Sequence, residues 1–274
     1  MLSYGLIGEK LAHSLSPNIH NILFDLLGMQ AKYDLFEVEK KNILKTVNKL
    51  KVLNIKGANV TIPYKEVIME TLDNISEEAL NIGAINTINI LDGKACGYNT
   101  DYFGFKLMLR KFNIDVKDSV AVVLGAGGAS KAILQALLDE EAKVILVSRN
   151  KEEAKIKFKE TKFISKIPVI DYKDLMNLDK GDIIINTTPC GMYPNIKSSA
   201  VSIEVLSKFK TAIDIIYNPE KTLFLKEAEE EGLKIVNGLY MLVAQAIKSE
   251  EIWNNIKIDE VIIDKIYDEL KVSL

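Results

Sequence analysis

The feature that most constrains this chain is an apolar run that ends on glycines. Val120 to Leu124 reads VAVVL and leads directly into Gly125-Ala126-Gly127-Gly128-Ala129-Ser130. Five consecutive apolar residues suit a strand covered on both faces, as in a parallel sheet. The next stretch puts Ala129, Ala132, Ile133, Ala136 and Leu137 on one stripe, which predicts a helix. Strand, glycine turn and helix in that order build an anion cradle. Gly125 permits the tight turn, and Gly127 lets the backbone approach a pyrophosphate. The small residues Gly128, Ala129 and Ser130 let the helix pack closely and aim its first N–H groups at the anion. Ser130 stands where the usual fingerprint has Gly or Ala. A glycine turn alone is only a tight turn; its flanking strand and helix point to a dinucleotide site.

The second strand of such a unit selects the dinucleotide. Lys143 to Val147 reads as that strand, and Ser148-Arg149-Asn150 follows it. An NAD site often carries an acidic residue there for the ribose 2′-hydroxyl. No carboxylate sits at this tip, and Arg149 can pair with a 2′-phosphate, which favours NADP. The alternative is a solvated surface charge, and Glu152 and Glu153 close by weigh on that side.

Strands and helices alternate along the whole chain, which predicts an α/β protein with largely parallel sheets. Tyr4–Ile7 is a first strand. Ser16-Pro17 then opens a helix, with Ser16 as N-cap, and Gly28 stops it. Further strands are expected at 32–39, 55–62, 84–90 and 94–98, and Pro63 is expected to open a helix bearing Tyr64, Val67, Ile68 and Leu72. After Val147, strands are expected at 167–170, 183–186, 212–216 and 234–236, and the chain from Gly238 is helical. The junction near Asp101 separates two packed units, and a cleft between them is the expected place for a ligand.

With 274 residues the chain is long for one domain and comfortable for two. Thirty-five Lys and Arg against 38 Asp and Glu give a net charge of −3, which argues against a nucleic-acid surface. Cys96 and Cys190 show no CxxC spacing and read as free thiols in a reducing compartment. Only His13 and His20 are present, so a histidine-rich metal site is unavailable. No basic-then-apolar leader opens the sequence, and the apolar stretch Leu239–Ile247 is far below the roughly 20 residues that span a bilayer. The expected location is cytoplasmic, with no membrane partner.

Among residues able to do chemistry, Lys65 stands out. It is expected in the first turn of the helix opened by Pro63, where a cation is disfavoured and losing a proton costs less. A Lys beside an apolar stripe with its head in water is the alternative, and periodicity does not choose. Asp101 starts the helix containing Tyr102 and Phe105; read alone, capping is its better role. Asn59, Asn86 and Asn99 fall at expected strand ends, where α/β proteins bind ligands, though each could simply satisfy a turn. Gln245 is polar within an apolar run and needs partners. His13 and His20 are expected to make ordinary hydrogen bonds, and the two cysteines to fill space.

Several segments together match one family. His13-Ser14-Leu15-Ser16-Pro17, Asn59-Val60-Thr61-Ile62-Pro63-Tyr64-Lys65, Gly83-Ala84-Ile85-Asn86-Thr87, Asn99-Thr100-Asp101, Gly125 to Ser130, Asn186-Thr187-Thr188-Pro189-Cys190-Gly191-Met192, and Gly238 with Gln245 stand in the order and spacing of the shikimate dehydrogenases, which the chain resembles over essentially its whole length. The resemblance implies an α/β, two-domain fold. Residues 1–101 plus 238–274 would form an N-terminal substrate-binding domain, and 102–237 a Rossmann-like NADP-binding domain. It also implies reversible NADPH-dependent reduction of 3-dehydroshikimate to shikimate, on the route to chorismate and aromatic amino acids. Lys65 and Asp101 would be the catalytic pair. Ser14 and Ser16, assisted by Tyr217, would bind the substrate carboxylate; Thr61, Asn86 and Gln245 would hold ring hydroxyls and the reacting oxygen. Gly125 to Ser130, with Ser148, Arg149 and Asn150, would hold the phosphates and adenosine of NADP. Ile215 and Gly238 would line the nicotinamide site, with Glu77 approaching the cofactor. Glu153 stands where NADP-using members often carry a second basic residue. The chain is expected to act as a monomer or homodimer. The rivals are a quinate/shikimate dehydrogenase using NAD or NADP, a folate-type dehydrogenase, which the Ser14/Ser16 pair disfavours, and a dinucleotide-sensing regulator without turnover, which should lack the set Lys65, Asp101, Asn86 and Gln245.

Overall fold

The computed structural model describes residues 1–273 and divides into two compact units. One is Met1–Gly104 with Val243–Glu269; the other is Phe105–Leu242 with the chain from Leu270 on.

The first unit holds six strands: β1 (Leu2–Gly8), β2 (Ala31–Glu37), β3 (Gly57–Val60), β4 (Asn74–Ile75), β5 (Thr87–Leu91) and β6 (Lys94–Tyr98). Their order is β2-β1-β3-β5-β6-β4. β1 pairs in parallel with β2 and β3, but β5 runs antiparallel to both β3 and β6. This sheet is therefore mixed: three of its five pairings, β4–β6 among them, are parallel as expected, and only the two made by β5 are antiparallel. The cause is local: Asp92 and Gly93, at φ 50° and 75°, form a two-residue hairpin turn between β5 and β6. The reversal matters for function. It sets Asn59 opposite Thr87 and Thr87 opposite Tyr98, so the ends of β3 and β6 and the start of β5 share one edge. Ile7, Ile68, Ile85 and Ile88 are fully buried in the core below, each worth about 1.5–3 kcal/mol of burial.

The second unit is all parallel, with β7 (Val120–Leu124), β8 (Lys143–Val147), β9 (Val169–Ile170), β10 (Ile183–Asn186), β11 (Thr211–Asp214) and β12 (Lys234–Asn237). Their order, β12-β11-β10-β7-β8-β9, is that of a doubly wound nucleotide-binding sheet. The strand order reverses between β7 and β10, the place where such sheets bind ligands. Ala121, Val122, Val123 and Leu124 are wholly buried, as strand coverage on both faces demands. The helix after the glycine turn runs Gly128–Asp139.

The C-terminal stretch forms helices Leu239–Asn254 and Glu260–Ser273, as expected. No helix among the described residues is long and apolar enough to cross a membrane.

Two local expectations are corrected. The helix Ser16–Leu27 has Leu15 as N-cap, so Ser16 is its first helical residue; the Ser14 hydroxyl accepts from the Ser16 amide at 3.2 Å. Pro63 opens no α-helix. Ile62–Thr71 forms turns and then a short 3₁₀ helix, Val67–Thr71, so Lys65 does not sit in a helical first turn. The Lys65 carbonyl accepts from the Ile85 amide at 2.8 Å, while the Met69 amide turns to Glu66. Pairing with the strand region takes the acceptor that a helix would need at that point.

Candidate active site

In the first unit, the sheet edge described above gathers a connected polar cluster. Lys65 Nζ donates to Asp101 Oδ2 at 2.5 Å, and their side chains are only 13% and 9% exposed. Asn86 Nδ2 donates to the other carboxylate oxygen, Oδ1, at 2.9 Å, and to Gln245 Oε1 at 3.2 Å. Asn86 is itself fixed: its Oδ1 accepts from the Thr100 amide at 2.7 Å, which settles which way the side-chain amide points. Lys65, Asp101, Asn86 and Gln245, predicted from separate parts of the chain, are thus joined by hydrogen bonds.

The structure also separates the two readings of Asp101. The first turn of its helix is capped by Asn99, whose Oδ1 accepts from the Tyr102 amide at 3.3 Å. Asp101 is spent on Lys65 and Asn86 instead. Lys65, for its part, is no solvated surface cation.

Beneath this cluster lies a layer that inspection of the sequence passed over. Ser249 Oγ meets Asn59 Nδ2 at 2.8 Å, Thr87 Oγ1 at 2.8 Å and Thr100 Oγ1 at 3.2 Å, and donates to the Gln245 carbonyl at 3.0 Å. Tyr33 Oη donates to Asn59 Oδ1 at 2.7 Å, and burial holds its pKa well above the usual phenol value. Thr87, Thr100 and Ser249 are fully buried. Thr87 and Thr100 fall within motif segments of the sequence but carried no role there, and Ser249, between Lys248 and Glu250, carried no signal at all.

Ser14 and Ser16 lie together, with Ser14 Oγ 3.2 Å from Ser16 Oγ. Thr61 directly follows β3 and its amide bonds the Ile7 carbonyl at 2.9 Å. Glu77 begins the helix Glu77–Ile82 and is exposed. His20 makes the ordinary bond expected of it, Nδ1 to Glu250 Oε1 at 2.7 Å, while its ring stacks on Tyr33 at 4.0 Å. Cys96 and Cys190 are free thiols.

The second unit carries the predicted cofactor residues along the carboxyl edge of its sheet. Gly125 sits at φ +107°, and a Cβ there would come within 2.9 Å of Thr187 Oγ1, so this turn requires glycine. A Cβ added at Gly127 would meet nothing within 4 Å, and the residue is exposed. That leaves open space before the N–H groups of the helix Gly128–Asp139, flanked by Ala126 and Ala129. Ser130 is buried and donates to the Gly127 carbonyl at 2.6 Å, so its hydroxyl closes the turn. Beyond β8, the Ser148 hydroxyl accepts weakly from the Asn150 amide (3.4 Å), and Asn150 caps the next helix through the Glu153 amide at 3.1 Å. Arg149 is exposed and enters no ion pair among the described residues. Its neighbours are engaged elsewhere: Lys151 with Asp171 and Asp174 at 3.0 and 2.9 Å, and Glu153 with Lys157 at 2.8 Å. Ile215 and Gly238 touch, since a Cβ on Gly238 would lie 2.0 Å from the Ile215 carbonyl oxygen. Tyr217, two residues on, is half-buried. An open glycine turn, a helix N-terminus and an arginine outside any ion pair fit a dinucleotide bearing a 2′-phosphate.

Comparison with known proteins agrees in both halves. A family model described as shikimate dehydrogenase substrate binding domain matches residues 6–88, and one described as shikimate / quinate 5-dehydrogenase matches residues 106–216. A shikimate dehydrogenase (NADP(+)) of Clostridium perfringens is 53% identical, covering 99% of each chain. The crystal structure of shikimate dehydrogenase 1 from Peptoclostridium difficile is 48% identical and covers 100% of this chain and 99% of that one, with a TM-score of 0.92. A Thermus thermophilus shikimate 5-dehydrogenase in complex with NADP(H) and shikimate is 29% identical over 98% of this chain and 99% of that one, with a TM-score of 0.87. The chain belongs to the shikimate dehydrogenase (NADP(+)) family.

Proposed function

We propose that this protein interconverts shikimate and 3-dehydroshikimate with NADP as redox partner, and that Lys65 and Asp101 are its catalytic pair. The observation that carries the reading is the low-exposure Lys65–Asp101 contact, held from the far side by Asn86. Bound NADP supplies the hydride acceptor in one direction and the donor in the other. In its amine form, Lys65 Nζ takes the hydroxyl proton as shikimate is oxidised and becomes the ammonium. In reduction, protonated Lys65 stabilises the negative charge developing on the ketone oxygen and returns the proton. Asp101 aims the ammonium through Oδ2 and, through Asn86, stays fixed itself. Asn86, Gln245 and Thr61 hold the ring hydroxyls and thereby the orientation of the reacting carbon. Ser14 and Ser16, with Tyr217, receive the carboxylate through hydroxyl donors.

On the cofactor side, Gly125 to Ser130 and the helix they open receive the pyrophosphate, and Ser148, Arg149 and Asn150 the phosphorylated ribose. Ile215 and Gly238 flank the nicotinamide, and Glu77 is a further cofactor-binding residue. Two free thiols fit a cytoplasmic setting. Each chain carries the full set of residues, which suits a monomer or a homodimer alike. A broader reading, with quinate or NAD also accepted, is favoured by Glu153, an acidic residue close to Arg149 that pairs with Lys157 at 2.8 Å.

The test is NADPH formation on mixing protein, NADP and shikimate. Robust turnover that Lys65→Ala and Asp101→Asn each abolish without loss of fold supports the assignment; near-normal turnover in either variant refutes that residue's role.

A further inference from the structure

One buried carboxylate has no task in the chemistry above. Asp214 closes β11 and is wholly buried. Its Oδ1 accepts from the Ile216 amide at 3.0 Å and from Asn186 Nδ2 at 3.1 Å; its Oδ2 accepts from Thr222 Oγ1 at 2.6 Å. The three donors come from three segments. Ile216 lies between Ile215 and Tyr217. Asn186 opens the loop after β10, where its Oδ1 accepts from the Thr188 amide and hydroxyl at 3.0 and 2.7 Å. Thr222 caps the helix Leu223–Glu230 and lies against Gly191, whose added Cβ would be 3.2 Å from the Thr222 Cβ. Ile215 is clamped further, its amide donating to the Asn186 carbonyl at 3.1 Å while the Gly238 amide donates to the Ile216 carbonyl at 3.1 Å. The Ile216 amide and Asn186 Nδ2 can only donate, and the Thr222 hydroxyl, which already accepts from the Leu225 amide at 3.4 Å, gives its hydrogen to Oδ2; asparagine would turn Nδ2 towards Thr222 and leave that hydroxyl hydrogen without its acceptor.

We propose that Asp214 is a positioning residue for the cofactor, acting through Ile216, Asn186 and Thr222 to fix the Ile215 backbone and the loop after β10. The proposal rests on Ile215 and Gly238 serving the nicotinamide. Burial pushes the Asp214 carboxyl up to about 6, and its hydrogen-bond partners are all neutral. Stability alone would be better served by an apolar residue than by a carboxylate kept without a cation.

The test compares wild type, Asp214→Asn, Thr222→Val and Thr222→Ser by titrating NADPH fluorescence without substrate, followed by steady-state kinetics. Thr222→Ser keeps the hydroxyl that bonds Asp214; Thr222→Val removes it. The expected result is a rise of about tenfold in NADPH Kd and NADP KM for Asp214→Asn and Thr222→Val, as for loss of a charge-assisted hydrogen bond, with Thr222→Ser near wild type. A role confined to fold stability would lower kcat with the active fraction and leave Kd and KM unchanged; unchanged Kd in the folded variants overturns the proposal. Should Asp214→Asn fail to fold, the Thr222→Val and Thr222→Ser pair decides. Wild-type protein that does not bind NADPH would overturn the cofactor reading and this proposal together, whereas binding by wild type with unchanged variants sinks only the positioning role.

Discussion

At the scale of single residues, the decisive facts are which polar groups are committed and which are left open. Lys65 is committed to Asp101, in surroundings where both side chains are mostly shielded. Lys65→Ala should therefore lower kcat by about 10²–10⁴, the range for removing a general acid–base, with a smaller change in the KM for shikimate. Steady-state rates at saturating NADP check this, and an unchanged kcat would contradict it. Arg149 is the open group, exposed and outside any ion pair among the described residues. Arg149→Ala should raise the KM for NADP by about 10–100-fold, the worth of charge-assisted bonds to a phosphate, and leave that for NAD nearly unchanged. Equal losses with both cofactors would mean that Arg149 does not read the 2′-phosphate. Asp214 gives a stability prediction with a definite sign. Its pKa is raised in the fold from 3.8 to about 6. Below 3.8 both states hold the proton; between there and about 6 the unfolded chain releases it first. The contribution of Asp214 to stability thus falls as pH rises through that window, by about 3 kcal/mol, and is level above it. Denaturant unfolding at about pH 4 and about pH 7 should show the wild type losing that much relative to Asp214→Asn. A pH-independent difference would contradict it.

At the scale of elements, what was legible in the sequence depended on whether local chemistry or tertiary pairing decides the backbone. β7, β8 and β10 have the bounds read from the sequence because strands buried on both faces must be continuously apolar. The Gly125 turn was legible because its backbone excludes any side chain. Gly125→Ala would be strained by about 1–3 kcal/mol and would press on Thr187 Oγ1. It should lower the Tm and weaken NADPH binding together, as thermal unfolding with and without NADPH would show; an unaltered Tm would mean the turn relaxes without cost. The Asp92-Gly93 hairpin carried its own signal, yet a reading built on strand–helix alternation missed it, and with it the antiparallel β5 that brings Asn59 and Asn86 to one edge. The Lys65 segment was not legible. Its proline and apolar spacing read as a helix, but the Lys65 carbonyl is taken by the amide of Ile85, far along the chain. The layer of Thr87, Thr100 and Ser249 was equally hidden, because a lone hydroxyl has meaning only after the sheet and the helix Leu239–Asn254 bring it to its partners.

At the scale of the whole molecule, each unit places its distinctive polar residues at one edge of its own sheet, by a different route. The N-terminal unit does so with an antiparallel strand inserted beside parallel ones, and the second unit with six parallel strands whose order reverses at β7 and β10. In the proposed function, the first arrangement would supply carboxylate, ammonium and amide groups to a small polyhydroxylated acid, and the second glycines, helix amides and Arg149 to a phosphorylated dinucleotide. Full-length similarity to shikimate dehydrogenases, with family models matching in both units, accords with that division. Shikimate should then be preferred over quinate, which adds a hydroxyl beside its carboxylate, and NADP over NAD, which lacks the 2′-phosphate. The most direct measurement is the initial rate of NADPH or NADH formation by the purified protein with shikimate or quinate, each paired with NADP or NAD. The account predicts rapid reduction of NADP with shikimate and much slower rates for the other three pairs. Absence of NADP reduction with shikimate, in protein that is folded and binds NADPH, would contradict it.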